Sequence, residues 1–358
     1  MIWLAWRQFR VQASIMLGLL VAVAIVAALT GPHLSQVHNA FLIACKQAHD
    51  CDSTTDPVSS TYHGLAVALQ TMMLLLPLLL GLFWGAPLIA REFETGTYRL
   101  AWSQSVSRRR WVMVKIGLVV LSAMLAAGAL SLIVTWWSSA SDAAQQDRFG
   151  VATFGLRGVV PIAYAAFACA FGVAAGALLR KVVPAMATTL VAYVVARVAV
   201  ALWVRPHFMS PVLSSVSLLS PNSGGTGFSI NAGSNAVTVT AGPPIIPNAW
   251  VVSSKIVDGA GQSPTQQVLQ KVCPNLPGIA SGPASAVGQS GGVHAVPTGG
   301  QGAFPQCITK LAVHYHELAA YQPASRYWAF QGLETGVFLV LAVALAALTL
   351  WWVRHRVA

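Results

Sequence analysis

The sequence predicts an all-α membrane protein of six transmembrane helices, with both termini cytoplasmic and a large irregular extracellular insertion before the last helix. Three observations predict it. Only 9% of the 358 residues are charged while 56% are hydrophobic, whereas a soluble domain carries roughly 25% charged residues to keep its surface wet. Six stretches are apolar over the length that crosses a bilayer, about 20 residues at helical rise. Basic residues are densest in the short connections on one side of those stretches, as in cytoplasmic loops.

The segment Met1 to Gln12 sets Ile2, Trp6 and Phe9 at helical spacing with Arg7, Gln8 and Arg10 largely opposite. It reads as a helix lying in the inner membrane interface or as the ragged start of the first span. That span covers about Ala13 to Leu29, and five further spans make it a signal-anchor rather than a cleaved leader. The second, Leu65 to Ala90, contains Pro77 and Pro87, tolerable where neighbouring helices satisfy the freed backbone groups. The third runs from Val112 to Trp137, the fourth from Val159 to Leu179 and the fifth from Val183 to Val204. Arg180, Lys181 and Val182 join the fourth and fifth in a tight hairpin. The sixth covers Phe330 to Val353. Gly172, Ala175, Gly176 and Ala177 on the fourth span predict close helix packing, within the subunit or at a dimer seam. Trp136, Trp137, Trp328, Trp351 and Trp352 suit an interfacial belt.

The domain division that follows is 1–204 and 329–358 for the membrane part and 205–328 for an extracellular cap. The net charge of +11 is a positive-inside signature rather than a nucleic-acid surface, because Arg7, Arg10, Arg91, Arg99, Arg108, Arg109, Arg110, Lys115, Arg180, Lys181, Arg354 and Arg356 lie in inner segments. The cap is rich in Gly, Ser, Pro and Asn. β-like pieces occur at Ala236 to Thr240 and Trp250 to Ser253, an irregular low-complexity stretch at Pro274 to Pro305, and a helical return at Cys307 to Tyr321. Of five cysteines, Cys45 and Cys51 fall in the first outer loop, Cys273 and Cys307 in the cap and Cys169 inside the fourth span. Pairing within each outer loop and free thiols both remain open. His314, His316 and Glu317 form a compact group, but no further ligand is spaced to complete a metal site.

The connection between the second and third spans, residues 91–111, carries the functional signal. Two of the four glutamates lie there, in Arg91-Glu92-Phe93-Glu94-Thr95-Gly96-Thr97, followed by Val106-Ser107-Arg108 and Lys115. A short helix around Glu92 to Thr95 would stop at Gly96, which accepts the left-handed backbone that ends helices. Glu92 and Glu94 would then project into the cytoplasm as a rigid peg; the alternative is an ordinary solvated loop. The segment resembles the Arg-Glu-x-Glu-x-Gly-Thr motif of ABC type-2 exporter permeases, matched here by Arg91, Glu92, Glu94, Gly96 and Thr97. The ending from Tyr321 to Trp328, with Gln331 and Glu334, is similar to actinobacterial members. The resemblance implies a coupling helix docked in a cytoplasmic ATPase subunit, a second permease subunit as homo- or heterodimer partner, and residence in the cell membrane. It implies ATP and Mg in the partner ATPase and no cofactor in this chain. No lysine ends a Gly-x-x-x-x-Gly-Lys-Ser/Thr run, so ATP hydrolysis is not expected of this polypeptide.

Within the spans, Arg197 lies roughly 21 Å from the inner end of the fifth, at nearly the depth of Glu334 in the sixth. A charge in the membrane needs a partner or water, so Arg197 and Glu334 are expected to pair, with Arg157 as a competing cation. The pair would orient helices or line a substrate path. The function read from the whole is export of a hydrophobic or amphipathic compound. A membrane sensor or assembly partner using the cap is the main alternative; a polytopic membrane enzyme is weaker, since no nucleophile–base set is present.

Overall fold

The computed structural model describes residues 2–48, 61–96, 108–139, 149–220, 226–231, 236–244, 246, 248–272 and 303–356. The chain divides into two compact units. One comprises Met1–Phe208 and Tyr327–Ala358, the other Met209–Arg326.

In the first unit six helices are long and apolar enough to cross a membrane: Phe9–Phe41, His63–Glu94, Arg110–Ser138, Val160–Leu179, Val182–His207 and Ala324–His355. An even number of crossings leaves both chain ends on one side, here called the terminal side. The first helix is continuous over Ile2–Ala48, so of the two readings of residues 1–12 it agrees with the start of the first span rather than a separate interfacial helix, and the stop near Leu29 is corrected. Pro32 within the helix removes only one donor from the ladder. Packing holds the helix on either side of the expected breaks. Phe9 meets Trp84 edge-on at 4.7 Å, and Trp137 Nε1 donates to Thr30 Oγ1 at 2.8 Å.

The second span changes pitch. His63–Leu80 is α-helical, Gly81–Gly85 forms a π turn, and Ala86–Glu94 is α-helical again. Pro87 supplies no N–H, and the carbonyl of Phe83, four residues earlier, instead accepts from Gln12 Nε2 on the first span at 3.4 Å. A neighbouring helix thus meets the need the proline creates.

The fourth span, Val160–Leu179, is the centre of this unit. Its sequence is Ala- and Gly-rich and apolar on every side, the composition of a helix surrounded by others, and it is buried along most of its length. Its closest neighbour is the second span, met backbone to backbone. A Cβ on Gly172 would lie 2.6 Å from the Gly81 carbonyl oxygen, and one on Gly176 2.6 Å from that of Ala86. From the other side, a Cβ on Gly85 would lie 2.7 Å from the Cys169 oxygen. The small-residue stripe therefore packs within the subunit. The first span, in contrast, exposes Ile15, Leu17, Ile25 and Leu29, as a lipid-facing helix would.

The described residues of the second unit form strands and short helices, which corrects the expectation of an irregular insertion for those residues only. Strands β1 (Val212–Val216), β4 (Trp250–Asp258) and β5 (Tyr315–Gln322) form an antiparallel sheet with β5 in the middle. β2 (Thr226–Asn231) and β3 (Ala236–Ala241) form a separate antiparallel pair. Helices Gln266–Val272 and Ala303–Leu311 contribute Leu269, Ile308 and Leu311 to a small core with Leu218 and Ile256. The two β-like pieces are thus strands. The helical return ends at Leu311 and gives way to β5, where alternating burial selects the extended form. Residues 273–302 lie outside the described set. The ends of the unit are tied together: Gln322 Nε2 donates to the Met209 carbonyl at 2.7 Å, and Arg326 Nη1 to the Ser210 carbonyl at 2.7 Å.

Glu317, in the central strand, is fully buried. Ser254 Oγ donates to its Oε1 at 2.7 Å, and its Oε2 has no hydrogen-bond partner among the described residues. Burial raises its pKa above the ordinary 4.5, and the Ser254 bond only partly offsets this. Just above pH 4.5 the folded sheet keeps a proton that the unfolded chain has released, so stability falls as pH rises through that window.

Two predictions follow from this packing. Gly85→Ala and Gly172→Ala should each destabilise the protein by about 1–3 kcal/mol, read as thermal unfolding in detergent. Gly18→Ala and Gly336→Ala, where an added Cβ meets nothing within 4 Å, should leave the midpoint unchanged or slightly raised. Glu317→Gln should flatten the loss of amide protection in β4 and β5 as pH rises from 4.5 toward neutral; an unaltered profile in hydrogen exchange would refute the assignment.

Candidate functional site

Two polar clusters occupy opposite ends of the first unit. On the terminal side the second span runs unbroken to Glu94, so Arg91 to Glu94 form its last turn rather than a separate short helix. Thr95 closes the turn, its N–H and Oγ1 both donating to the Arg91 carbonyl at 3.0 and 2.8 Å. Gly96 follows at φ +71°, and the helix stops at the residue the sequence indicated.

The two glutamates part company here. Glu94 and Arg91 are exposed. Glu92 instead turns against the third span and forms an ion pair with Lys115, correcting the expectation that both carboxylates project outward. Lys115 is only 7% exposed and lies over the Trp111 ring at 4.6 Å. Ile89, Val112, Ile116, Val173 and Val353 close an apolar cluster around Trp111. A pair in such surroundings has little competition from water, so it locks the ends of the second and third spans together. Nearby, Arg180 takes a left-handed conformation at φ 56° to end the fourth span, with its guanidinium 5.9 Å from the Phe93 ring. Thr97, Val106 and Ser107, and the side chain of Arg108, lie outside the described residues.

At the far side Glu334 is fully buried and held by Arg205, itself 2% exposed. Nε donates to Oε2 at 2.9 Å and Nη2 to Oε1 at 3.1 Å. The Tyr164 hydroxyl donates to the same Oε1, and the Arg205 guanidinium stacks over Phe154 at 4.3 Å. The expected Arg197–Glu334 pair is therefore corrected: the cation is Arg205. Apolar counting ended the fifth span at Val204, but the helix continues through a π turn, Val200–Val204, into a 3-10 turn, Arg205–His207. That extension carries Arg205 into the bundle. Arg197 lies elsewhere, over the Tyr164 ring at 4.7 Å, and donates to the Tyr193 hydroxyl at 3.3 Å. Arg157 contributes its carbonyl, which accepts from Gln331 Nε2 at 3.2 Å.

Gln331, one turn before Glu334, was named in the sequence only as part of a terminal motif. Its Oε1 accepts from the backbone N–H groups of Val159 and Val160 at 3.1 and 3.2 Å, capping the fourth span where the helix start leaves orphan donors. Its Nε2 donates to the Phe154 carbonyl at 3.0 Å. Gly158, at φ +72°, lets the chain turn beneath it; a Cβ there would lie 2.8 Å from Gln331 Oε1. Tyr164 and Arg205 were missed altogether. The only sequence signal for Arg205 was its position directly after Trp203 and Val204.

Cys307 is disulfide-bonded and Cys169 is a buried free thiol. The side chains of Cys45, Cys51 and Cys273 fall outside the described residues. Among the described residues no group of three His, Cys, Asp or Glu side chains could hold a metal ion, and His316 and Glu317, adjacent on β5, point to opposite faces.

Six apolar spans, the fourth of them buried among the others, with ion pairs at both ends, define a multi-pass helical membrane protein. More particularly, the ABC-2 membrane transporter related family matches residues 17–205, over half of the chain, and the protein belongs to that family. Neither a curated protein nor a solved structure matches the chain.

Arg205→Met should cost about 3–5 kcal/mol by stranding a buried carboxylate. The double variant Arg205→Met/Glu334→Gln should recover most of that loss, as read by folded yield and melting midpoint.

Proposed function

We propose that this chain is the membrane-spanning permease subunit of an ATP-driven exporter and works with a separate ATPase subunit. The observation that carries the reading is the family match together with the end of the second span. There an exposed acidic–basic turn, Arg91 and Glu94, sits on a helix end braced to the third span through Glu92 and Lys115. A partner pressing on that turn would move two spans at once, because the ion pair ties them and the glycine contact couples the second span to the fourth. The terminal side then faces the cytoplasm, in keeping with the positive-inside distribution of arginine and lysine. The ATPase would bring ATP and Mg, and a second permease subunit would complete the pathway in the cell membrane. The cargo class that suits so apolar a bundle is a hydrophobic or amphipathic compound. Glu92 serves in this reading as an internal brace, and Glu94 and Arg91 as the contact.

The affinity-tagged chain purified from its native membranes should carry an ATP-hydrolysing subunit with a phosphate-binding loop. Glu94→Ala combined with Arg91→Ala should reduce its recovery about tenfold or more, the loss of one charge-assisted contact, with the melting midpoint unchanged. A cysteine at position 94 that reacts with an impermeant maleimide in intact cells would contradict the reading outright.

A further inference from the structure

Arg197 is a cation within the fifth span for which the described residues supply no ion pair. Among the described residues no carboxylate lies within ion-pair distance of it. The nearest candidate, Glu334, has both oxygens engaged by Arg205 and one also by Tyr164. Among the described residues, the cluster of Arg197, Arg205 and Glu334 therefore carries one more positive than negative charge. Arg197 stands fifteen residues after Val182 and ten before His207, the limits of the fifth span, or about 22 Å from one end and 15 Å from the other at helical rise.

The guanidinium lies beside Gly155 and Tyr164, at the far-side end of the fourth span. The guanidinium reaches back to Tyr193, one turn toward the start of the helix, as helical side chains lean; this takes it away from the nearer end of the span. The position is also built. Gly155 has an ordinary φ of −80°, so its backbone does not call for glycine. A Cβ there would lie 2.8 Å from Arg197 Nη2 and 3.2 Å from the Tyr164 hydroxyl. The missing side chain makes room for the guanidinium. Arg197 is half-buried, and the flanking Val194, Val195 and Val198 are exposed, so the site opens toward the apolar surface of the span rather than into the packed core.

A cation in hydrocarbon is costly unless an anion or water accompanies it. We infer that Arg197, backed by Tyr193 and Tyr164, holds the acidic head of an anionic amphiphile that approaches from the lipid side with its tail along Val194, Val195 and Val198. A single negative head matches the one excess positive charge among the described residues of the cluster, and an apolar tail matches the surface through which the head must arrive. The inference goes beyond the transport reading and does not require the ATPase.

The test uses the full purified chain, without any ATPase, in phosphatidylcholine vesicles. These contain a small fraction of photoactivatable phosphatidylglycerol or, in parallel, photoactivatable phosphatidylcholine, and cross-links are mapped by mass spectrometry. Phosphatidylglycerol should label residues 190–204 in preference to phosphatidylcholine. Arg197→Gln should lower the anionic labelling about tenfold, the loss of a charge-assisted contact, and leave the zwitterionic labelling unchanged. Arg197→Lys should keep part of the preference. Gly155→Ala, which crowds the guanidinium without removing it, should also reduce the preference and serves if Arg197→Gln folds poorly. Equal labelling by the two lipids, or a preference that survives both Arg197→Gln and Gly155→Ala, overturns the site. Displacement of the lipid by inorganic phosphate overturns the amphiphile and leaves a free anion as occupant. None of these results bears on ATPase recovery, so the transport reading is tested separately.

Discussion

The rest of the membrane unit depends on how closely the backbones of the second and fourth spans approach. Gly81, Gly85, Gly172 and Gly176 remove the side chains that would hold the two helices apart, and carbonyl oxygens occupy the space where Cβ atoms would be. Without a hydrophobic driving force between helices in lipid, close van der Waals contact of this kind is a principal source of association. The π turn at Gly81–Gly85 lies at the crossing. It widens the second span where it must follow its neighbour, at the price of irregular pitch next to Pro87. The fourth span becomes the axle, and the other spans take their positions around it.

Two ion pairs finish what that contact begins, one at each end of the unit. The far-side pair is fully buried and the other largely so, and in both the acid comes from a different span than the base. Glu92 of the second span meets Lys115 of the third; Glu334 of the sixth meets Arg205 at the end of the fifth. A buried charge pair adds little net stability compared with well-packed apolar residues, but a mispaired helix leaves a charge alone in hydrocarbon, which is severe. The pairs therefore act mainly by excluding wrong registers between spans. Gln331 acts similarly without charge: one amide satisfies the open end of the fourth span and the loop before it, fixing the sixth span against both.

The second unit follows a different physics. With few large apolar residues, it builds a sheet whose central strand carries a buried carboxylate, and it ties its own two ends together through Gln322 and Arg326. Two of its strands, β3 and β4, had visible precursors in the alternating Ala236–Thr240 and in Trp250–Ser253. Its central strand did not: Tyr315–Gln322 contains Ala and Leu at helix-compatible spacing, and only pairing on both edges makes it extended. Local propensity favoured the helix there, and strand partners remote in sequence reversed it.

Composition and local order alone determined that this chain spans a membrane six times, roughly where each span runs, and that the turn at Glu94 to Gly96 ends a helix. These follow from length, hydropathy and backbone preference, which each segment carries by itself. The same information marked Gly172 and Gly176 as packing positions, Glu92 as notable and Glu334 as a charge in need of a partner. It did not say that the glycines face the second span, that Glu92 turns inward to Lys115, or that Arg205 rather than Arg197 neutralises Glu334. Those choices belong to tertiary structure because an ion pair or a glycine contact is a property of two segments. Which pairs form is decided by helix pitch, by a π turn that carries one arginine into the bundle, and by which side chains remain near enough to exclude the lipid.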